Sequence, residues 1–223
     1  MSDDLSNKMR AYLAEVYRLA DRAHESQVYV STSALADLLD VSAPAVNRMI
    51  NRLKEMHLLE HEPYQGIRLT DDGEREALKY MRSQRIAEAF LVNVMKFGWD
   101  QVHHEAQNIS GSLNERLLER MVEMAGQPTF CPHGEPIPDE TGKILDMDDQ
   151  LLSESLDGQR LEVTRVITRE SDRLQYIAAL GLMPGTQLDV LHVAPFNGPM
   201  QLRIGDEYRI IGSTLAELIR VHV

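Results

Sequence analysis

A thiol and an imidazole stand one residue apart in Cys131-Pro132-His133-Gly134, on a loop bordered by prolines. Thiolate and neutral imidazole both ligate divalent transition metals, so the pair can hold one ion if carboxylates or imidazoles converge on it from elsewhere in the chain. Taken alone, the same two residues also fit a cysteine packed as a small hydrophobe and a histidine left in solvent. Further donors are Glu88 and the run Val102-His103-His104-Glu105. On a helix, neighbouring positions point about 100° apart, so at most one of His103 and His104 can face a given ion. Cys131 is the only cysteine in 223 residues, which rules out an intrachain disulfide and a disulfide-stapled secreted scaffold.

A second constellation is basic. Between Ser42 and Met56 the charged residues are Arg48, Arg52, Lys54 and Glu55, three positive against one negative, in a chain whose net charge is −12. A basic face on an acidic body fits a selective DNA binder and argues against one that coats nucleic acid indiscriminately. Arg48 is the candidate for bidentate contact with guanine, while Arg52, Lys54 and Arg68 are placed to meet phosphates. The competing reading is a folded three-helix core whose arginines are merely solvated.

These residues need elements to present them. Met9, Leu13, Val16, Tyr17 and Ala20 recur at three- and four-residue steps and predict an amphipathic helix over residues 5–24. Ser31 to Ser33 precede a short second helix with Leu35, Leu38 and Leu39. Ser42 is read as the cap of a third, with Pro44 in its first turn and Val46, Ile50 and Leu53 as its buried stripe. That stripe leaves Asn47, Arg48, Asn51 and Arg52 facing outward. Pro63, Tyr64 and Gly66 between short extended pieces predict a β-hairpin over residues 60–70, completing a winged helix-turn-helix. Thr70 or Asp71 caps a long helix reaching about Lys96, and two more helices are predicted over residues 101–109 and 112–125. Their long apolar faces point to a dimer.

Residues 127–157 change character, with prolines at 128, 132, 136 and 138 and an acidic run from Asp139 to Asp149. Beyond them, residues 161–167, 188–193, 200–204 and 208–211 read as short strands around a small helix over residues 171–180, which suggests an SH3-like barrel. The fold class expected is α+β: a winged helix-turn-helix domain (1–72), an all-α dimerisation and metal-binding domain (73–145), a linker (146–157) and an SH3-like domain (158–223). No apolar run approaches the roughly 18 residues of a membrane span, and the acidic start of the chain is unlike a basic leader, so a cytoplasmic protein is expected. No Ser-His-Asp set, phosphate-cradling glycine loop or paired acids in a recognisable context argue for an enzyme.

Several stretches together resemble the diphtheria-toxin-repressor family of iron- and manganese-dependent transcriptional regulators over essentially the whole chain. They are DVSAPAVNRMINRLKEMHLL, RLTDDGEREA, RIAEAFL, VHHEA and CPHGEPIP, with LGLMPGTQLDV and LAELIRV resembling a FeoA-type SH3-like domain. The resemblance implies a homodimer that binds a palindromic operator on double-stranded DNA when loaded with metal, and represses uptake genes. It implies DNA-reading roles for Ser42, Pro44 and Arg48. It also implies an ancillary metal site at Glu88, Cys131 and His133, completed by an acid of the SH3-like domain, Glu170 or its neighbour Asp172. His103 matches a ligand of that site in the iron-responsive branch.

The departures concern the family's activating metal site. Ala11, Gln107, Ser110 and Gly111 occupy its positions, and Gln84 stands where a ligand histidine is usual. Alanine, serine and glycine as placed offer no strong ligand, and neutral amides bind first-row ions poorly, so that site is expected to be absent. The surviving donor set suits manganese, iron, zinc or cobalt. Two rival readings stay open: a metal-independent DNA-binding regulator of the same fold, and a protein-interaction module.

Overall fold

A computed structural model describes residues 5–22 and 29–223. It divides into two compact units, residues 1–83 with 138–143, and residues 84–137 with 144–223. Among the described residues, no helix is long and apolar enough to cross a membrane.

In the first unit, α1 (Asn7–Arg22), α2 (Thr32–Leu38) and α3 (Ala43–Glu55) precede a hairpin of β1 (Leu59–Glu62) and β2 (Gly66–Leu69). The expected first helix reached residue 24, which lies outside the described residues. Met9, Leu13, Val16, Leu35, Val46, Ile50, Leu53 and Ile67 close the core, so the apolar stripes read from spacing are the faces that pack. Ser31 caps α2 by accepting the Ala34 N–H at 3.0 Å. Ser42 takes the cap position of α3 without a side-chain capping bond, and proline in the first turn starts that helix at no hydrogen-bond cost. The hairpin pairs Glu60 with Arg68 and is fastened to the helices by a bridge between Val30 and Ile67. Gly66, at φ 124°, allows that bridge, because a Cβ there would lie 2.4 Å from the Val30 carbonyl oxygen.

The long helix α4 (Asp71–Asn93) begins in the first unit and ends in the second. Its early part packs Tyr80 and Met81 against Ala11, Ala14 and Tyr17 of α1. Its later part packs Ala87 and Leu91 against Val102 and Ala106 of α5 (Val102–Ser110), and α6 (Glu115–Met124) follows.

The rest of the second unit is a six-stranded antiparallel sheet in the order β3-β8-β4-β5-β6-β7. The strands are β3 (Gln150–Leu151), β4 (Arg160–Val166), β5 (Gln187–Val193), β6 (Met200–Ile204), β7 (Glu207–Ile211) and β8 (Ile219–His222), with α7 (Ser171–Ala179) and α8 (Ser213–Ala216) between them. Strands β4 to β7 fall, within one residue, on the short runs bounded by turn residues in the sequence. β3 and β8 have no such pattern: β3 is two residues long, and β8 buries Ile219, Arg220 and Val221 in succession. The sheet keeps two edges, β3 and β7, with the SH3-like core of Leu161, Val163, Val190, Leu202 and Val221 on its inner face. Trp99, from the stretch before α5, also packs on that core.

Candidate metal centre

Glu88 projects from the buried side of α4 within the second unit, 1% exposed. Its oxygens have different surroundings. Oε1 accepts a hydrogen bond from His103 Nδ1 at 2.8 Å, whereas Oε2 is buried without a hydrogen-bond partner. Facing Oε2 at 3.6 Å is Nδ1 of His133, itself buried and without a partner. The other nitrogen of that ring, Nε2, lies 2.8 Å from the Trp99 carbonyl oxygen, which can only accept. The imidazole therefore donates from Nε2, and in its neutral form it turns the lone pair of Nδ1 toward a carboxylate oxygen.

With His133 neutral, a carboxylate oxygen and an imidazole lone pair face each other at 3.6 Å with no donor between them, an arrangement that a cation satisfies. Cys131 supplies the third donor: ligand atoms of Glu88, Cys131 and His133 all lie within 4.8 Å of one another, and all three residues are buried. Carboxylate, thiolate and imidazole suit a divalent first-row metal, so the residues fit the ion.

Burial alone would raise the Glu88 carboxyl, but the hydrogen bond from His103 and the nearness of both imidazoles hold it well below the usual carboxylate range. Cys131 behaves oppositely. Burial pushes its thiol up, Glu88 and Glu135 add to the rise, and Arg85 and Arg169 only partly oppose it. Without a cation the cysteine is a neutral thiol, and an ion must expel that proton to be held by sulfur.

The loop that carries Cys131 and His133 is a closed turn. Cys131 N–H donates to the Glu135 carbonyl and Gly134 N–H to the Cys131 carbonyl, each at 2.9 Å. Gly134 has φ 84°, and a Cβ on it would sit 2.0 Å from the Thr164 carbonyl oxygen, so the loop lies flush on β4. Val166 N–H of that strand donates to the His133 carbonyl at 2.9 Å. The imidazole stacks on Trp99 with ring centroids 5.3 Å apart.

Other expected ligands are placed differently. His103 sits behind Glu88, on the oxygen that faces away from His133, so it holds the carboxylate from the rear. His104 is exposed and meets Asn108. Glu170 lies outside the grouped ligands: it is exposed at the start of α7, with its carboxylate 2.8 Å from Arg173 Nε. Its alternate, Asp172, is also exposed and outside the group. The residue beside Glu170 reaches the loop instead, since Arg169 Nη2 lies 2.6 Å from a Glu135 oxygen. Side chains alternate along an extended segment, so a shift of one position exchanges the inward for the outward residue. Reading the sequence missed Glu135, Arg85, Arg169 and Trp99; the one signal for them was an acid inside the proline-bordered loop.

At the positions of the second site, Ala11 packs among Ala14, Tyr17, Tyr80 and Met81, Gln107 is exposed, and Gly111 ends α5. Ser110 donates to the Gln107 carbonyl at 3.2 Å, and buried Gln84 lies beside His103. Glu88, Cys131 and His133 form the only such group found among the described residues.

On the DNA-binding side, Ser42, Pro44, Asn47, Arg48, Asn51 and Arg52 are exposed on α3, with Val46, Ile50 and Leu53 beneath them. Arg68 is engaged already, with Nη2 2.6 Å from Glu60 and its guanidinium 5.4 Å from the centre of the Tyr29 ring.

The iron-dependent repressor N-terminal DNA-binding domain matches residues 4–67, its metal-binding and dimerisation domain residues 70–139, and the FeoA domain residues 150–223. The chain is 24% identical over 199 residues to a diphtheria toxin repressor of Corynebacterium efficiens, covering 85% of each protein. It is 32% identical over 136 residues to the iron-dependent repressor IdeR of Mycobacterium bovis, covering 61% of this chain and 57% of that one. A solved manganese-dependent transcriptional repressor in complex with manganese superposes with a TM-score of 0.87 at 32% identity, covering 96% of this chain and 98% of the other. With DNA-binding, dimerisation and FeoA parts matched in order along its length, the chain belongs to the iron-dependent repressor family of the diphtheria-toxin-repressor type.

Proposed function

We propose that this chain is a metal-responsive transcriptional repressor, a cytoplasmic homodimer that grips a palindromic operator when Glu88, Cys131 and His133 hold one divalent ion per chain. The observation that carries this reading is a pair of buried polar atoms without hydrogen-bond partners, Glu88 Oε2 and His133 Nδ1, facing each other beside a buried thiol. The ion supplies positive charge and directional bonding; the chain does the rest. His103 holds Glu88 from behind, the Trp99 carbonyl selects the His133 tautomer, and β4 fixes the loop. Manganese, iron, zinc and cobalt all suit these donors. Binding shifts the chain toward whichever conformation holds the ion better, by the difference in affinity between the conformations.

Arg48 is assigned to base reading, Ser42, Pro44 and Asn47 to fitting the groove, and Arg52 to phosphate. Arg68 joins them only if phosphate displaces Glu60. The activating site of the family is proposed to be absent, and the division into residues 1–72, 73–145 and 158–223, joined by a linker at 146–157, is kept. A metal-independent regulator would leave Glu88 Oε2 and His133 Nδ1 buried without purpose, at about 1–3 kcal/mol for each. The test is binding of purified protein to its own promoter DNA with manganese or zinc, and again with chelator. Metal should tighten wild-type binding, Cys131→Ala with His133→Ala should abolish the response, and Arg48→Ala should weaken binding while relaxing sequence preference. Equal wild-type binding with metal and with chelator contradicts the proposal.

A further inference from the structure

Two of the three candidate ligands come from a loop, and a loop is only as firm as its anchors. Glu135 closes this one. Its Oε2 lies 2.7 Å from Arg85 Nη2 and 2.6 Å from Arg169 Nη2, and its side chain is 7% exposed. Arg85 precedes Glu88 by three residues on α4 and also donates to the Pro136 carbonyl at 2.5 Å. Arg169 belongs to the connection between β4 and α7. One carboxylate thus ties the helix that carries Glu88 to the C-terminal sheet, through the loop that carries Cys131 and His133.

We propose that Glu135 is a positioning residue that makes metal capture and fastening of the C-terminal sheet a single event, by joining Arg85 to Arg169 across the metal loop. This rests on the metal-binding reading above. The two guanidinium groups balance the carboxylates of Glu88 and Glu135, and a divalent ion held by thiolate adds one positive charge. Removing the Glu135 charge leaves two cations facing the incoming ion and takes away the shared side-chain anchor of the loop, with the backbone contacts at Pro136 and His133 remaining. Removing the Arg169 charge frees only the sheet and makes the surroundings of the ion more negative. A strut with no electrostatic part would answer both changes alike.

The experiment uses the full-length protein and manganese or zinc alone, following the fluorescence of Trp99, the sole tryptophan, which stacks on His133. Amide exchange at Val166, whose N–H is held by the His133 carbonyl, is read in parallel. Glu135→Gln should weaken metal affinity by roughly 10–100-fold. Metal should slow Val166 exchange in wild type, and Arg169→Gln should bind metal at least as tightly yet lose that slowing. Should Glu135→Gln fail to fold, Arg169→Gln decides alone. Wild-type affinity in Glu135→Gln, or metal-dependent protection of Val166 persisting in Arg169→Gln, overturns the proposal while leaving the metal site intact. A wild-type chain that takes up no metal overturns the functional reading first, and this one with it.

Discussion

Asp149 and Glu88 are both carboxylates withdrawn from water in the second unit, and their surroundings differ in one respect. Asp149 is saturated. Its oxygens accept from Arg165 Nε at 2.9 Å, Arg165 Nη2 at 3.1 Å, Arg220 Nε at 2.5 Å and Thr164 Oγ1 at 2.8 Å, so nothing is left for a ligand. Glu88 is half-satisfied, with His103 on one oxygen and an unpartnered oxygen facing an unpartnered imidazole nitrogen. A saturated buried acid holds a fold together; one with an open oxygen beside other open donors is a place for an ion.

Substitution should separate the two acids. Asp149→Asn leaves Arg165 and Arg220 buried without their counter-charge, and thermal or urea unfolding should report a loss of roughly 3–5 kcal/mol. Glu88→Gln should cost the metal-free protein less than Asp149→Asn does, because it removes a carboxylate held by two imidazoles rather than the shared counter-charge of two buried guanidinium groups. Its effect belongs to metal titration, where affinity should fall by at least roughly tenfold, about 1.4 kcal/mol. Equal destabilisation by the two substitutions would break the contrast.

Acidity sharpens the contrast further. The Cys131 thiol is raised in metal-free protein, so an ion must displace its proton, and metal affinity should climb by about tenfold per pH unit through neutrality. A pH-independent affinity would mean that sulfur is not a ligand. For Asp149, burial raises the carboxyl, but Arg165, then Arg220 and Thr164, more than compensate and hold it below its ordinary value. Its stabilisation is therefore present above the unfolded value of about 3.9 and lost as pH falls through the folded one. Acid unfolding of wild type and Asp149→Asn should converge in that range, the smallest of these effects.

The reading helix and its wing were legible in sequence because their signals are local: apolar spacing at Val46, Ile50 and Leu53, proline in the first turn, and turn residues at Pro63 and Gly66. β8 was not, since it buries Arg220 in mid-strand, and the reason is Asp149, seventy-one residues away. The metal loop was legible from Cys131 and His133, and Glu88 through family resemblance. Which acid or base of the C-terminal domain meets the loop depends on a one-residue alternation in an extended segment. Arg169 reaches Glu135 of the loop while Glu170 pairs with Arg173, a difference that no residue type in the sequence signals. Trp99 was invisible as a partner of His133 because its hydrogen bond comes from the backbone carbonyl and its ring contact from a residue 34 positions away.

In the proposed reading a single ion is clamped by Glu88, Cys131 and His133, with no second site at Ala11, Gln107, Ser110 and Gly111. Its most direct test is the metal-to-chain ratio of purified protein after equilibrium dialysis against manganese or zinc, beside the Cys131→Ala, His133→Ala double variant. Wild type should hold about one ion per chain and the variant none. Two ions per chain, or a variant that keeps its ion, would contradict that reading.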